Sequence, residues 1–578
     1  MTLLEDPPAS PSEPEPEPES EPVKSATGWR VDIPDVTAAD MRPVKWQLYL
    51  SFVGLGLGIL MGLLQAFERN GQNLYEELPV LETYYQGLTL HGVALALVFT
   101  FCFANALMPL LTMRGLQRPM ASRTISNVGL YLAWGGTGLA AWAILANKAT
   151  VLFTFYAPLQ ATPAFYVGAV FLVVSTWMTT LNMLLTLRQW RRDQPRGTRI
   201  PLVAFACLVS MLMWVLASTG IAAEVLYWLL PWSLGWRDMV DPQFTRILFW
   251  FTGHPIVYFW LLPIYVSWYC LLPSQVGGKL YSDGLTRLAF ISFLVLLPVG
   301  VHHQFTDPGI PLSSKTLQWL LTFGIFYPSM ITAFSVFAAL EQGGKKRGGK
   351  GWFGWIFKLP WRDPSVNAQL LAGLAFMLGG ASGLINASYT VNLVVHNTSF
   401  IVGHFHLTVG TAVALSIMGI SYWLVPYLTG KRLFAPGLAV AQAWIWWIGV
   451  MIFARGQMWG GVDGVPRRTQ LRDAAYYADH PGWHWPTLMT AIGGMIMFIG
   501  GVCFFVVLFG TIFSKRVVTE RQEIPITDVE HGPKESWRVL DSLGTWVTIA
   551  VVLSILVYGE VIAHYWPINS VSPGFRLW

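Results

Sequence analysis

Two histidines lie one residue apart inside a long apolar segment, in the motif Gly403-His404-Phe405-His406. An α-helix turns by about 100° per residue, so side chains two positions apart point to nearly opposite sides of the helix. A neutral imidazole binds transition metals well, but in lipid an imidazole without a partner carries a large desolvation cost. The motif therefore predicts two metal centres, one on each flank of a single helix.

Most of the other histidines also lie in unusual places for a polar side chain. Of the eleven histidines in the chain, seven fall within or at the edge of apolar segments, namely His91, His254, His302, His303, His396, His404 and His406. A single histidine in such a position is most often a hydrogen-bonded packing residue. Seven of them in one chain favour metal binding instead.

The adjacent pair His302 and His303 and the separate His254 predict one further kind of centre. Three imidazoles from two helices could form a trigonal copper site with an open position. The alternative is a polar cavity lined by an unligated histidine pair. If both flanks of the His404/His406 helix meet a haem, one haem iron can be six-coordinate through His91, and the other can keep an open face toward the copper.

The composition requires these side chains to be positioned by membrane helices. The chain has 578 residues, of which 54% are hydrophobic and 12% are charged, against roughly 25% charged residues in an average soluble domain. We predict an all-α fold, a polytopic membrane helical bundle of about thirteen transmembrane helices. The predicted spans are 46–67, 87–112, 126–147, 163–187, 200–231, 243–273, 286–305, 315–340, 366–387, 398–428, 434–459, 485–513 and 541–566.

The distribution of basic residues predicts the orientation. The segments that follow even-numbered spans carry basic clusters, such as Arg188 to Arg199 and Lys345 to Lys350, whereas the alternate side is sparse in lysine and arginine. Such an asymmetry places the N-terminus in the cytoplasm and, with an odd number of spans, the C-terminus outside. The net charge of +5 resides in these loops and gives no indication of nucleic-acid binding.

Two regions outside the spans complete the domain organisation. Residues 1–41 include a Pro- and Glu-rich tract that cannot bury a core, and they predict a disordered acidic cytoplasmic tail. Residues 42–578 are predicted to form one catalytic membrane domain. The four cysteines lie far apart in the spans without a Cys-x-x-Cys motif, so a disulfide framework or a thiolate copper centre in this chain is not expected.

Four motifs in fixed order connect these histidines to a known family. They are Gly253-His254-Pro255-Ile256-Val257-Tyr258, Val301-His302-His303, Gly403-His404-Phe405-His406 and Val465-Pro466-Arg467-Arg468. Together they resemble subunit I of the haem-copper terminal oxidases. The stretch from Tyr84 to Gly92 is similar to the B branch, the ba-type cytochrome c oxidases. The resemblance implies a catalytic subunit that reduces dioxygen to water and couples this reaction to proton uptake and pumping.

The resemblance also implies the cofactors and their ligands. His91 and His406 would be the axial ligands of a low-spin haem of b-type, and His404 would be the proximal ligand of a high-spin haem of a- or o-type. One copper ion would be held by His254, His302 and His303. Tyr258 matches a tyrosine that in this family is covalently joined to the histidine four residues earlier, here His254, and takes part in catalysis.

Four residues on the predicted outer side resemble the haem-propionate region of the family. Arg467 and Arg468 would bind the propionates, since guanidinium groups suit carboxylates. His396 and Asn392 would belong to the polar cluster through which protons leave. The family pattern has an aspartate where this chain has Asn392, so His396 is the better candidate for a titrating role.

A proton route from the cytoplasmic side is expected along two hydroxyl stripes. Tyr258, Tyr265 and Tyr269 share one helix face, and Ser329, Thr332 and Ser335 follow at intervals of three on another helix. Hydroxyls in membrane helices often bond only to their own backbone, but both stripes match the single K-type path of the B branch. Ile256 replaces the glutamate that ends a second path in the A branch, so we expect one uptake path.

The resemblance implies partners and leaves alternatives open. The expected partners are a subunit II with a dinuclear copper centre, cytochrome c as electron donor, dioxygen and the lipid of a prokaryotic cell membrane. A quinol oxidase shares this subunit. A nitric oxide reductase shares the six ligand histidines but uses non-haem iron and further glutamates. A transporter with proton-relaying histidines and no metal is the alternative from another class of protein.

Overall fold

The computed structural model describes residues 32–471, 480–518, 523–566 and 570–577. Most of the predicted disordered tail, residues 1–31, therefore lies outside the described residues. Asp32 packs on the bundle, because it is buried, forms an ion pair of 2.7 Å with Arg114 and accepts a hydrogen bond from Tyr427. The first helix begins at Ala38, within the segment predicted as the tail.

The described chain is an all-α bundle. Twelve of its helices are long and apolar enough to cross a membrane, and a shorter helix, Asp283–Leu296, occupies the place of the predicted span 286–305. In chain order the thirteen are α1 Ala38–Glu68, α2 Tyr84–Leu116, α3 Arg123–Leu145, α4 Pro163–Asp193, α5 Leu202–Ser233, α6 Pro242–Cys270, α7 Asp283–Leu296, α8 Leu312–Lys346, α9 Pro364–Ala387, α10 Ser399–Thr429, α11 Pro436–Val462, α12 Pro481–Ile512 and α13 Leu543–Tyr565. This confirms the predicted fold class.

Glycines allow neighbouring helices to approach closely. A Cβ atom on Gly449 of α11 would lie 2.8 Å from the backbone nitrogen of Met497 in α12, and a Cβ atom on Gly493 would lie 2.4 Å from that of Phe453. Lipid supplies no hydrophobic force between helices, so membrane helices associate through close packing. Small residues at their interfaces permit this close backbone contact. The core is deepest around α2, which is almost entirely buried, whereas α13 at the periphery is mostly exposed.

The helices depart from regular geometry beside the conspicuous histidines. A π-helical segment, Ala94–Phe99, follows His91 in α2, and another, Thr408–Val413, follows His406 in α10. In α6, His254 interrupts the helix immediately before Pro255, whose ring nitrogen cannot donate a backbone hydrogen bond. Such local irregularities are frequent at functional sites.

The pair His302 and His303 lies outside any helix. The predicted span 286–305 includes both residues, and this part of the prediction is wrong, because α7 ends at Leu296 and both residues belong to an irregular connection to α8. Free of helical geometry, adjacent side chains can turn toward one point. Two short sheets complete the fold, Met239–Val240 with Ser572–Pro573 and Leu280–Ser282 with Val529–His531, and they attach C-terminal segments to loops.

Candidate metal centres

His91 and His406 face each other across a gap in the bundle. Their ring centroids are 6.5 Å apart and their planes differ by 11°. Two imidazoles bound on opposite sides of one metal, each by a bond of about 2 Å, place their ring centroids roughly 6.4 Å apart. The separation is too large for ring stacking and fits two axial ligands of one iron.

Backbone carbonyls fix which nitrogen of each ring is free to bind. The Nδ1 atom of His91 lies 2.8 Å from the carbonyl oxygen of Gly58, and that of His406 lies 2.8 Å from the carbonyl oxygen of Val402. A ring that donates from Nδ1 keeps a lone pair on Nε2, and such outer contacts orient metal-binding histidines. Both rings are therefore held ready to bind through Nε2.

The space around these two rings fits a large planar group. His91 and His406 line the same cleft, whose walls are mostly apolar. Gly62 and Gly410 leave room beside the rings, because Cβ atoms there would lie 3.1 Å from His91 Cε1 and 3.3 Å from His406 Cδ2. An apolar cleft with two opposed imidazoles has the donor set and shape of a six-coordinate haem site.

His254, His302 and His303 form a separate cluster. One ligand atom from each lies within 4.8 Å of the other two, as three donors around one ion require. The Nδ1 atom of His254 is 3.2 Å from Nε2 of His303, and the ring of His303 stacks on Trp250 at 4.1 Å between centroids. Three neutral imidazoles without a carboxylate suit copper, with one coordination position left open.

The second ring nitrogen of His254 supports the predicted link to Tyr258. Nδ1 of His254 faces His303, whereas its buried Nε2 atom has no hydrogen-bond partner in the described part of the chain. The rings of His254 and Tyr258 are neighbours, with centroids 5.3 Å apart. A covalent bond between this free nitrogen and the phenol ring would explain a buried polar atom that otherwise carries a cost.

His404 belongs to the same site as the three-histidine cluster. It lines one small cavity together with His302 and His303. Its Nδ1 atom lies 2.9 Å from Oγ of Ser382 and 3.1 Å from the carbonyl oxygen of Gly379, which leaves Nε2 to bind a metal. The two histidines of the motif thus line two different cavities.

Neighbouring arginines line the two cavities on the predicted outer side. Arg467 and Arg468 line the larger cleft, and Arg467 also lines the smaller cavity. Burial and the neighbouring Arg468 lower the pKa of Arg467 to about 9. The Arg467 guanidinium donates to Asn397 Oδ1 at 2.9 Å, a neutral acceptor. Positive charges held together in this way favour an anionic ligand, and haem propionates are carboxylates of suitable geometry.

The two other predicted propionate-side residues lie at the same cavity. His396 and Asn392 both line the space that contains His404. Burial, followed by the charge of Arg467, lowers the pKa of His396 to about 4. Asn392 donates to the carbonyl oxygen of Asn386 at 2.7 Å, and its own Oδ1 atom is buried without a partner.

The structure brings the two hydroxyl stripes together. Tyr269 donates to Thr332 Oγ1 at 2.9 Å, and the hydroxyl of Ser335 is adjacent. Tyr265 faces Ser329, although its hydroxyl makes no hydrogen bond of normal geometry within the described residues. The rings of Tyr258 and Tyr265 both contact Phe293, with centroid distances of 6.0 and 5.6 Å. The stripes therefore run along one α6/α8 interface toward Tyr258.

Several residues at the site lie in no sequence motif that marks them as functional. Ser382 and Gly379 contact His404, and Gly58 contacts His91, through backbone or hydroxyl groups that look ordinary in the sequence. Arg246 also lines the smaller cavity, where it forms a bidentate pair with Asp307 at 2.8 and 3.2 Å. Each member of this pair is an isolated charge at the predicted outer end of a span, and this position could have indicated the ion pair.

Comparisons with known proteins agree with this geometry. The family model for cytochrome c and quinol oxidase polypeptide I matches residues 42–496. Cytochrome c oxidase subunit 1 of Thermus thermophilus is 44% identical over 556 residues, which cover 93% of this chain and 97% of that protein. Quinol oxidase subunit 1 of Sulfolobus acidocaldarius is 26% identical over 430 residues, covering 71% of this chain and 78% of that protein.

A solved structure gives the same result at the level of the fold. A haem-copper terminal oxidase dimer determined by cryo-electron microscopy superposes with a TM-score of 0.87 at 36% sequence identity, covering 94% of this chain and 96% of that chain. The predicted resemblance is thereby confirmed, and the protein is a multi-pass membrane protein. The chain belongs to the cytochrome c and quinol oxidase polypeptide I family.

Proposed function

We propose that this chain is the catalytic subunit of a B-branch haem-copper oxidase that reduces dioxygen to water with electrons from cytochrome c. The observation that carries this proposal is that two histidines of α10 face two different cavities. His404 shares a cavity with two of the three clustered histidines, while His406, two residues later, faces His91. This arrangement supports an electron-transfer centre beside a centre that binds a small substrate.

The chain's own residues would hold three redox groups. His91 and His406 would bind a low-spin haem of b-type, His404 a high-spin haem of a- or o-type, and the three-histidine cluster one copper ion. When bound, the high-spin haem and the copper supply electrons to dioxygen. Phe405 lines both the large cleft and the smaller cavity, and we propose that electrons pass between the two haem sites across this residue.

Tyr258 would supply a proton at the reaction site. Its ring adjoins the ring of His254, and the hydroxyl stripe of α6 and α8 leads toward it from the other end of the bundle. Breaking an O–O bond requires electrons and a proton together, and a phenol beside the metals can provide both. The link through His254 would also fix the orientation of the ring.

Protons would enter along the stripe and leave on the opposite side. Tyr269, Thr332 and Ser335 form its buried start, and Tyr265 and Ser329 continue it toward Tyr258. This one path would serve both the chemistry and the pumping. His396, among the arginines at the outer end of the cavity, is the candidate group for the exit side.

The comparisons support our proposals for the electron donor and for the partner subunits. The greater similarity to the cytochrome c oxidase subunit of Thermus thermophilus, 44% against 26% for the quinol oxidase of Sulfolobus acidocaldarius, favours cytochrome c. Family membership implies partner subunits, and we propose a subunit II with a dinuclear copper centre on the outer face. The loop charges support a cytoplasmic N-terminus and an external C-terminus in a prokaryotic cell membrane.

Two alternatives make different predictions. A nitric oxide reductase requires non-haem iron and extra glutamates. The metal-binding cluster in the described part of the chain consists of three histidines and contains no carboxylate. A metal-free transporter would give a colourless protein, and family membership argues against it.

Metal and haem analysis of the purified complex tests the proposal. We expect two haems per chain in a pyridine haemochrome assay, at least one copper atom, and oxygen consumption with reduced cytochrome c. His254→Ala should lose one copper while both haem spectra remain. Iron in place of this copper, or the absence of haem bands from the reduced-minus-oxidised spectrum, would contradict it.

A further inference from the structure

The three histidines proposed as haem ligands differ in what holds their second ring nitrogen. Within the described residues, the Nδ1 atoms of His91 and His406 each meet a single backbone carbonyl, at 2.8 Å in both cases. The Nδ1 atom of His404 instead meets the hydroxyl of Ser382 at 2.9 Å as well as the carbonyl oxygen of Gly379 at 3.1 Å. A side chain thus enters the immediate environment of one haem ligand.

In this group of contacts, the Nδ1 proton of His404 and the hydroxyl proton of Ser382 each have a hydrogen-bond acceptor. A histidine that binds metal through Nε2 carries its proton on Nδ1, and here that N–H group is shared between the Ser382 oxygen and the Gly379 carbonyl. The Ser382 hydroxyl donates its own proton to the Gly379 carbonyl at 2.8 Å. A carbonyl oxygen has two lone pairs, so it can accept both bonds.

The surrounding helix holds this arrangement in place. Ser382 lies one turn after Gly379 on α9 and is buried. The next residue, Gly383, supports the imidazole, because a Cβ atom there would lie 3.2 Å from Cε1 of His404. The hydroxyl oxygen is therefore held beside the Nδ1 atom of the ring.

We propose that Ser382 is a positioning residue that sets the donor strength of His404 toward the high-spin haem iron. This inference rests on the proposed role of His404 as the proximal ligand. A hydrogen bond accepted from Nδ1–H increases the negative charge on the imidazole, strengthens its bond to iron and stabilises the ferric state. The low-spin haem ligands lack such a side-chain contact within the described residues, so the effect is specific to the high-spin site.

The expected effect of Ser382→Ala follows from the loss of one of two acceptors. Removing a partner of a metal ligand costs about 10- to 100-fold in metal affinity or activity, and the lower end applies because the Gly379 carbonyl remains. We expect a roughly tenfold shift of the iron toward the ferrous state, which corresponds to a rise of about 59 mV in the one-electron midpoint potential. The iron–histidine stretching band should move to lower frequency.

The experiment uses the whole oxidase complex and two spectroscopic readouts, redox titration of the high-spin haem and resonance Raman spectroscopy of its ferrous form. Ser382→Thr keeps the hydroxyl and should have the midpoint potential and the iron–histidine stretching frequency of the unaltered enzyme. Ser421→Ala is the matched control, since Ser421 is buried on α10 with His404 and donates to the carbonyl oxygen of Ile417 at 2.7 Å. It should change neither value.

The outcomes separate this inference from the function on which it rests. A shift in Ser382→Ala that is absent in Ser382→Thr and Ser421→Ala supports the inference, whereas an unchanged stretching frequency and potential in Ser382→Ala overturn it. His404→Leu should abolish the iron–histidine band. If that band persists in His404→Leu, the proposed ligand assignment itself is wrong, regardless of Ser382.

Discussion

The hydrogen bond between Tyr269 and Thr332 provides a direct test of the proton route. Tyr269 donates to Thr332 Oγ1 at 2.9 Å, and Thr332 in turn donates to the carbonyl oxygen of Pro328 at 2.9 Å. Both side chains are buried where α6 meets α8. Thr332→Val keeps the shape of the side chain but removes the only group through which this residue can accept and pass on a proton.

The size of the effect can be worked from this contact. Removing one partner of a buried hydrogen bond leaves the other unsatisfied, at a cost of about 1–3 kcal/mol. If proton transfer must cross this gap, the same cost enters its barrier, and each 1.36 kcal/mol slows a step by about tenfold. We therefore expect turnover to fall by roughly 10- to 100-fold. Ser335, whose hydroxyl is adjacent to Tyr269, can replace part of the lost contact.

The measurement is steady-state oxygen consumption together with time-resolved proton uptake after reaction of the reduced enzyme with oxygen. Thr332→Ser, which keeps the hydroxyl, should retain most of the activity. Thr322→Val is the matched control, because Thr322 is buried on the same helix and bonds only to the carbonyl oxygen of Gln318 within the described residues. Unchanged proton uptake in Thr332→Val, with both haem spectra intact, would remove this stripe from the mechanism.

Three further predictions concern the metal centres. Tyr258→Phe should keep both haem spectra but lose nearly all oxygen turnover, because the phenol can no longer release a proton; normal turnover would exclude the tyrosine from the chemistry. Gly62→Ala should shift the low-spin haem spectrum with little loss of stability, since the new Cβ atom would lie 3.1 Å from Cε1 of His91; an unchanged spectrum would show that the ring does not respond to this contact. His303→Ala should lower the copper content by one atom per chain in elemental analysis while the haem content is unchanged, and retained copper would refute its role as a ligand.

The sequence alone determined much of the local geometry. Apolar segments of about twenty residues specify membrane helices because lipid leaves every backbone polar group to be satisfied within the helix. The spacing of His404 and His406 requires them to face opposite sides of α10, since this direction depends only on helical periodicity. The order of motifs was sufficient to identify the family, which the match over residues 42–496 confirmed.

The tertiary structure decided which of these groups meet. His91 lies more than three hundred positions before His406, and only the arrangement of α2 and α10 in the bundle brings their rings into nearly parallel planes across a gap. His302 and His303 converge with His254 because α7 ends early, a feature that the continuous apolar pattern of the span concealed. Ser382 likewise reaches Nδ1 of His404 only because α9 and α10 pack together. Periodicity encodes where a side chain points on its own helix, whereas its partners depend on contacts between helices far apart in the chain.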